Sequence, residues 1–299
     1  MSLHHKILTY TNPTMRLMRN VGVKLGIVKN NHLRVLIFHD IPPSQEEAFQ
    51  RQLAWIQRNR TIVSPEKFEK MISGEEPVIG ENILVTFDDG FISNRVVAEK
   101  ILNPMGIKAV FFVVSDFVEI KDRDEAHQFV ANHIFPGAIK EDIPQGWYNM
   151  QWSDLEALLE QGHTIGGHTK RHTRLSDGVP KEELIEELIT SAIYVEKNLG
   201  NQVEHFAYTF GDIDSFCQDA LSVASSKFKY IYSGVRGDNV ESVSPLAIRR
   251  DMASSLDASY ETALFKNNLL DAFLAGAADF HYKEPRKRLD SWSQAIRHG

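Results

Sequence analysis

The chain of 299 residues contains one cysteine, Cys217, and lacks long apolar runs. A single thiol excludes an internal disulfide and a thiolate metal cluster, so any bound metal must be held by histidine and carboxylate side chains. The longest strongly apolar segment, residues 109–114, is far too short to cross a bilayer. The sequence therefore predicts a protein without a transmembrane segment.

Basic residues are also outnumbered, with 33 Lys and Arg against 40 Asp and Glu. They are scattered along the chain, which disfavours nucleic acid as a partner and favours a neutral or weakly charged ligand. Residues 1–30 lack the unbroken apolar core of a secretory signal, and we therefore expect a cytoplasmic protein. These residues are mildly basic and amphipathic. A helix packed on the domain is favoured for them over membrane association.

Short apolar runs alternate with segments of helical pattern. Helices are predicted to begin at Ser64-Pro65 and at Val179-Pro180, with the second ending near Gly200. Buried strands are predicted at residues 34–38, 82–87, 108–114, 163–166, 205–209 and 230–233. This alternation predicts an α/β fold with parallel strands, and so many units favour a barrel. We expect one catalytic domain, residues 31–299, after an N-terminal extension, residues 1–30, with residues 115–148 forming an insertion beside a cleft.

Two adjacent carboxylates, Asp88 and Asp89, follow the predicted strand 82–87 and precede Gly90. In a β/α barrel, functional groups lie at the C-terminal ends of strands. Neighbouring carboxylates repel each other and are rarely placed together without a purpose. Taken alone, however, Asp-Asp-Gly is an ordinary turn sequence, and this structural interpretation is the favoured one for the isolated motif.

Two histidines, His168 and His172, follow the predicted strand 163–166. Their spacing of four allows both imidazoles to face one point. A lone histidine such as His163 is more often a residue of the core or surface. One carboxylate and two imidazoles at successive strand ends, with a second carboxylate beside them, would form a catalytic metal site that has its own general base.

In combination, Thr-Phe-Asp-Asp-Gly at 86–90 and His-Thr-Lys-Arg-His at 168–172 resemble the first two motifs of the polysaccharide deacetylase family, also called the NodB-homology family or carbohydrate esterase family 4. The resemblance implies a deformed β/α barrel of about seven parallel strands. It also implies that Asp88 is the catalytic base and that Asp89, His168 and His172 bind a divalent metal. Zn²⁺ is our first choice, with Co²⁺, Ni²⁺ or Fe²⁺ as alternatives.

The segment 205–211 is similar to the groove-wall motif of the same family, although Thr209 stands where Pro is usual and the common Arg near Ala207 is missing. The similarity implies that Tyr208 and Phe210 contact the substrate and that the Phe210 backbone N–H binds the oxyanion. The plain alternative is a strand that ends at a glycine.

Two further roles follow from weaker similarities. Arg250 resembles a recurring late arginine and is the candidate that orients Asp88, with a surface ion pair as the alternative. The C-terminal region has no convincing Leu-x-His motif for the catalytic acid. His39, after the first predicted strand, resembles the acid of a permuted branch that includes poly-N-acetylglucosamine deacetylases, and its alternative is a capped turn.

The resemblance implies a metal-dependent hydrolase that removes an acetyl group, with N-acetyl favoured, from a nucleotide-linked, lipid-linked or oligomeric sugar in surface polysaccharide synthesis. A catalytically silent carbohydrate-binding relative is the alternative that Thr209 and the missing Arg near Ala207 suggest. A non-haem iron enzyme would use a similar set of ligands. That class usually has one histidine close to the carboxylate and the other far away, and it would leave Asp88 without a role.

Overall fold

The computed structural model describes residues 3–27, 30–240, 243–252 and 267–298. Residues 28 and 29, beside the predicted boundary between extension and domain, lie outside the described residues. Eight strands in the described ranges form one sheet, and all of their pairings are parallel. The strands are β1 (His32–Phe38), β2 (Thr61–Ile62), β3 (Glu81–Phe87), β4 (Val110–Val113), β5 (Thr164–Gly167), β6 (His205–Ala207), β7 (Tyr230–Tyr232) and β8 (Asp251–Met252).

The strand order is β7-β6-β5-β4-β3-β1-β8, with β2 paired to β3. The chain before β8 also bonds to the opposite edge, because the Ile231 N–H donates to the Pro245 carbonyl and the Ile248 N–H donates to the Ile231 carbonyl. Residues 245–252 therefore connect β7 with β1, and the sheet curls on itself. The predicted deformed β/α barrel of about seven parallel strands is confirmed.

The helices surround this sheet, and three helical paths in the described part of the chain contain a π-helical turn, at Ala98–Leu102, Val130–Ile134 and Glu186–Thr190. The α-helices of the described residues are α1 (Leu3–Lys24), α2 (Glu46–Asn59), α3 (Pro65–Ser73), α4 (Ile92–Val97), α5 (Ser115–Glu119), α6 (Arg123–Phe129), α7 (Trp152–Glu160), α8 (Lys181–Ile185), α9 (Ser191–Leu199), α10 (Gln218–Ser225), α11 (Asn267–Leu274) and α12 (Lys283–His298).

Both predicted helix starts are confirmed. The Ser64 side chain accepts a hydrogen bond from the Lys67 N–H and caps α3. The second path begins with α8 after Pro180, continues through a π turn into α9, and ends at Gly200 with a φ of 65°. The crossover connections thus follow local signals that the sequence carries.

The central strands are buried on both faces, which explains their continuous apolar sequences. Phenylalanines from three adjacent strands pack against one another, with ring centroids 5.6 Å apart for Phe38 and Phe87 and 4.9 Å apart for Phe87 and Phe111. This packing fixes the strands whose C-terminal ends carry the predicted functional residues.

The N-terminal helix α1 packs on α11, and its Asn12 amide donates to Asp271 at 2.8 Å. The favoured expectation, a helix packed on the domain, agrees with this contact. Several apolar side chains on α1, among them Tyr10, Leu17 and Met18, are exposed. None of the described helices is both long and apolar enough to span a membrane.

Residues 115–148, predicted as an insertion, form two short helices, α5 and α6, and a loop with a small core of their own. Phe117, Trp147 and Phe91 pack together in that core, with the Phe91 ring 5.9 Å from Phe117 and 5.4 Å from Trp147. The same segment contributes Phe135 and Pro136 to the wall of a cleft at the C-terminal ends of the strands. The segment therefore walls a cleft as the sequence predicted.

Candidate active site

A cleft of about 660 Å³ opens at the C-terminal ends of the barrel strands. Its volume is typical of a small-molecule site. The structure brings all eight sequence-predicted site residues to this cleft: His39, Asp88, Asp89, His168, His172, Tyr208, Phe210 and Arg250. They come from the ends of β1, β3, β5 and β6 and from the segment that precedes β8.

Asp89, His168 and His172 converge on one point inside the cleft. The Oδ1 atom of Asp89 lies 3.4 Å from Nε2 of each histidine. The three ligand atoms lie within 4.8 Å of one another, and all three residues are buried. Burial alone would raise the pKa of Asp89, but hydrogen bonding to His168 and His172 holds that pKa far below its ordinary value. The carboxylate is therefore ionised and available as a ligand.

Backbone carbonyls orient both imidazoles. The Nδ1 atom of His168 lies 2.8 Å from the Ala207 carbonyl, and Nδ1 of His172 lies 2.9 Å from the His133 carbonyl. A carbonyl can only accept, so Nδ1 of each ring carries a proton, and Nε2 of each ring faces Asp89, where it could bind a metal ion. This donor set, two imidazole nitrogens and one carboxylate oxygen with room in the cleft, fits a divalent metal ion with open coordination positions.

The backbone is strained at the same place. Among the described residues, four that are not glycine have positive φ angles: Asp89 (74°), Thr169 (65°), His172 (61°) and Phe210 (60°). Two of them, Asp89 and His172, belong to the cluster that could hold a metal ion, and Phe210 is predicted to contact substrate. Residues in this region of φ are held there by the surrounding structure, and they cluster at functional sites.

Glu187 anchors the loop that carries the two histidines. Its carboxylate is fully buried and accepts hydrogen bonds from the backbone N–H groups of Lys170 (2.9 Å) and Arg171 (3.0 Å). The Arg171 guanidinium also lies 2.7 Å from Glu187. Because these two amides lie between His168 and His172, the glutamate fixes the spacing of the two imidazoles.

Asp88 is paired with Arg250 rather than with the histidines. The two guanidinium nitrogens of Arg250 donate to the two carboxylate oxygens at 2.7 and 2.8 Å, and Arg250 Nε donates to the Ser233 carbonyl at 2.9 Å. Burial would raise the pKa of Asp88, but the charge of Arg250 and then that of His168 hold the pKa below its ordinary value. The two adjacent aspartates thus have different partners.

His39 lies next to Asp88 because β1 and β3 pair in register up to Phe38 and Phe87. The backbone N–H of Asp88 continues this ladder by donating to the Phe38 carbonyl at 2.9 Å. The Asn94 amide donates to the His39 carbonyl at 2.7 Å and holds the strand end in place. The Nδ1 atom of His39 is buried without a hydrogen-bond partner in the described part of the chain.

Phe210 and Tyr208 form one side of the cleft. The Phe210 ring is 36% exposed, lies 4.6 Å from the His172 ring and is covered by the Arg174 guanidinium at 4.4 Å. The Tyr208 ring stacks on Phe216 at 3.9 Å, and its buried hydroxyl has no partner within the described ranges. Phe210 therefore offers an aromatic surface to the cleft, whereas the Tyr208 hydroxyl is buried.

Thr209, the departure from the family pattern, has a structural role. Its hydroxyl donates to the Thr173 carbonyl at 2.7 Å and connects the end of β6 to the histidine loop. Proline lacks this hydroxyl, so the contact is specific to the residue present here. Thr209 therefore adds to the support of His172 and does not obstruct the cleft.

Sequence reasoning missed the residues that support the site. No local sequence pattern predicts the roles of Glu187 or of the Ala207 and His133 carbonyls. Arg236 also lines the cleft and was not predicted. His163 was predicted to be an ordinary core or surface residue, and it bonds with the Ala109 N–H and the Asn103 side chain, both at 3.2 Å.

A family model, described as polysaccharide deacetylase, matches residues 75–227. The chain belongs to the polysaccharide deacetylase family. The match contains Asp88, Asp89, both cleft histidines and the groove-wall segment, and it identifies the chain as a carbohydrate deacetylase in class. His39 and Arg250 lie outside the matched residues. No curated protein matches the chain.

Solved structures of other deacetylases share the fold. IcaB from Ammonifex degensii is 19% identical with a TM-score of 0.63, over 82% of this chain and 98% of that one. The BpsB deacetylase domain from Bordetella bronchiseptica is 18% identical with a TM-score of 0.58, over 75% and 96%. Streptococcus pyogenes deacetylase PplD, solved with acetate, is 19% identical with a TM-score of 0.56, over 73% and 91%. At these identities the likeness concerns the fold.

Proposed function

We propose that this polysaccharide deacetylase hydrolyses an N-acetyl group on a sugar with the help of one divalent metal ion per chain. The observation that carries the proposal is the separation of roles between two adjacent aspartates. Asp89 faces the two histidines, whereas Asp88 is held by Arg250. A metal ligand and a general base are thereby available on neighbouring residues.

Asp88 is the proposed general base. An amide resists hydrolysis because water is a poor nucleophile and the amine is a poor leaving group, so both ends of the reaction need help. The lowered pKa of Asp88, set by Arg250 against the effect of burial, keeps the carboxylate ionised at neutral pH. Arg250 fixes its orientation, and Asp88 takes the proton of the attacking water.

Asp89, His168 and His172 would hold the metal, for which Zn²⁺ is the first choice and Co²⁺, Ni²⁺ or Fe²⁺ are alternatives. When bound, the ion would supply Lewis acidity to the acetyl carbonyl and to water. The Phe210 N–H, which has no acceptor within the described residues, is the proposed second donor to the developing oxyanion.

His39 is the proposed general acid. Its ring lines the cleft beside Asp88, and its Nδ1 has no competing acceptor among the described residues. A protonated imidazole there would donate to the departing sugar nitrogen. The proposal gives His39 and Asp88 opposite proton-transfer roles.

The two alternatives have less support. A non-haem iron enzyme would use the same three ligands but would leave the Asp88–Arg250 pair without a function. A silent carbohydrate-binding relative was suggested by Thr209 and by the missing arginine near Ala207. Thr209 supports the histidine loop, and Arg250 supplies a guanidinium to Asp88, so neither departure removes a required group.

The proposed substrate is an acetylated sugar made for a surface polysaccharide, in nucleotide-linked, lipid-linked or oligomeric form. Cytoplasmic location stays a prediction. Contact of α1 with a membrane surface is compatible with its exposed Tyr10, Leu17 and Met18 side chains.

The proposal is tested by incubating the metal-loaded protein with acetylated monosaccharides, nucleotide sugars and oligosaccharides. We expect acetate and free amine in equal amounts from at least one N-acetylated sugar. Asp88→Asn protein serves as the control for contaminating activity. Binding of these sugars without acetate release would instead favour the silent relative.

A further inference from the structure

Arg236 is a buried cation in the wall of the same cleft. It is 7% exposed and lines the cleft together with Asp88, Asp89 and Arg250. A guanidinium removed from water needs compensating charge and acceptors for its five N–H donors. The contacts of Arg236 therefore indicate whether it is a structural ion pair or a ligand-binding group.

Arg236 has one ion pair and one aromatic contact within the described residues, and at least one of its nitrogens has no acceptor there. Its Nε lies 3.4 Å from Asp251 Oδ1, and its guanidinium stacks over the Phe273 ring at 4.3 Å. Nη1 is buried and has no hydrogen-bond partner in those ranges. Stacking on an aromatic ring orients the planar fork but does not satisfy its N–H groups.

Asp251 compensates Arg236 only in part, because it is shared with Arg34. Nη1 of Arg34 lies 3.3 and 3.4 Å from the two carboxylate oxygens of Asp251. Burial raises the pKa of Asp251 above its ordinary value despite both arginines. Arg34 and Arg236 thus share the negative charge of one carboxylate, Asp251. Arg34 has a second partner in Asp279.

The other charged groups of the cleft have closer partners. Arg250 is bonded through both outer nitrogens to Asp88. Asp212, an anion that also lines the cleft, is bonded to Arg174 at 3.0 Å. Of the two arginines that line the cleft among the described residues, Arg236 therefore has the fewer and more distant partners for its charge and its N–H groups.

We propose that Arg236 binds an oxyanion, a phosphate or a carboxylate, that the acetylated sugar carries. The proposal rests on the proposed function and narrows its substrate class from any acetylated saccharide to an anionic one. A planar fork that is already oriented by stacking suits the two oxygens of a phosphate or carboxylate. Two kinds of sugar carry such a group. Nucleotide-linked and lipid-linked sugars have a phosphate, and uronic acids have a carboxylate.

The test compares three N-acetylated substrates: N-acetylglucosamine, its 1-phosphate and an N-acetylhexosaminuronic acid. In the metal-loaded wild-type protein we expect kcat/KM for at least one anionic sugar to exceed that of the neutral sugar about tenfold or more, the scale of a charge-assisted hydrogen bond. A higher kcat/KM for the 1-phosphate would identify the bound group as a phosphate, and a higher kcat/KM for the uronic acid would identify it as a carboxylate. The preference should shrink as salt is added.

In Arg236→Gln protein the ratio of anionic to neutral kcat/KM should fall to near one, and Arg236→Lys should retain part of it. Arg51→Gln is the matched control for loss of one positive charge, because Arg51 is exposed on α2 and bonds only to Glu47 within the described residues. It should keep the wild-type ratio. Melting temperatures show whether each variant folds.

Calorimetric titration of the wild-type protein with the same three sugars gives a second readout that needs no turnover. Equal binding and equal kcat/KM for neutral and anionic sugars in the wild-type protein would overturn the proposal even if no Arg236 variant folds. Acetate release without anion preference would refute only the role of Arg236. Anion-selective binding without acetate release would support Arg236 and refute the proposed hydrolysis.

Discussion

Arg250 donates hydrogen bonds to both carboxylate oxygens of Asp88, at 2.7 and 2.8 Å, whereas the carboxylate of the neighbouring Asp89 faces His168 and His172. In the turn after β3, two consecutive carboxylates therefore bond to different partners. Asp89, in this turn, has a positive φ of 74°, which residues other than glycine seldom adopt.

The two aspartates should respond differently to the same substitution. Asp88→Asn should keep the metal and lose roughly 100-fold or more in kcat, the usual contribution of a positioned base. Asp89→Asn should lose metal and activity together, because a neutral amide replaces the anionic ligand. Metal content by mass spectrometry and acetate release measure both effects. Metal loss in Asp88→Asn with retention in Asp89→Asn would reverse the assignment.

Arg250→Lys should raise the pKa of Asp88, because an ammonium group cannot reproduce the two parallel N–H···O bonds that the planar guanidinium makes to the carboxylate. A general base acts in its ionised form, so the acid limb of the kcat/KM profile should move to higher pH, with metal content unchanged. Arg249→Lys is the matched control, since Arg249 bonds to Asp290. If the acid limb of the profile does not move in Arg250→Lys protein, Arg250 does not control the pKa of the general base.

His39→Ala should impair N-acetyl hydrolysis far more than hydrolysis of an aryl acetate. An amine must be protonated as it leaves, whereas a phenolate leaves unaided. The measurement is kcat for both substrates in wild-type and variant protein at one metal loading. Equal losses on the two substrates would indicate that His39 binds or supports the site.

Glu187→Ala should weaken metal binding roughly tenfold or more, because the two loop amides between the histidines would lose their acceptor. Glu186→Ala is the matched control, as Glu186 is partly exposed and bonds to the Lys170 side chain. Competition with a chelator measures the affinity of each variant. If both variants bind metal like the wild type, the loop does not need its buried anchor.

The sequence predicted the main strands because buried parallel strands are continuous apolar runs. Their order then brought the ends carrying His39, Asp88 and His168 to one edge of the sheet. Strands β2 and β8 were missed because each has only two residues, too few for a recognisable pattern. All eight predicted site residues reach one cleft, and their catalytic roles stay predictions.

The supporting residues could not be predicted, since their roles depend on tertiary contacts. Nothing in the local sequence distinguishes Glu187 from its neighbours or Arg236 from the other basic residues. The carbonyls of Ala207 and His133 are chemically identical to every other carbonyl, and only the folded chain brings them to the imidazoles. Arg250 could be suggested by resemblance, but its bidentate geometry required the structure.

We propose that activity depends on one metal ion held by Asp89, His168 and His172. The most direct measurement is acetate release from an N-acetylated sugar by chelator-stripped protein that is reloaded stepwise with Zn²⁺. We expect no turnover in the stripped protein and a linear rise that stops near one equivalent per chain. Full acetate release by rigorously metal-free protein would contradict a metal-dependent hydrolysis.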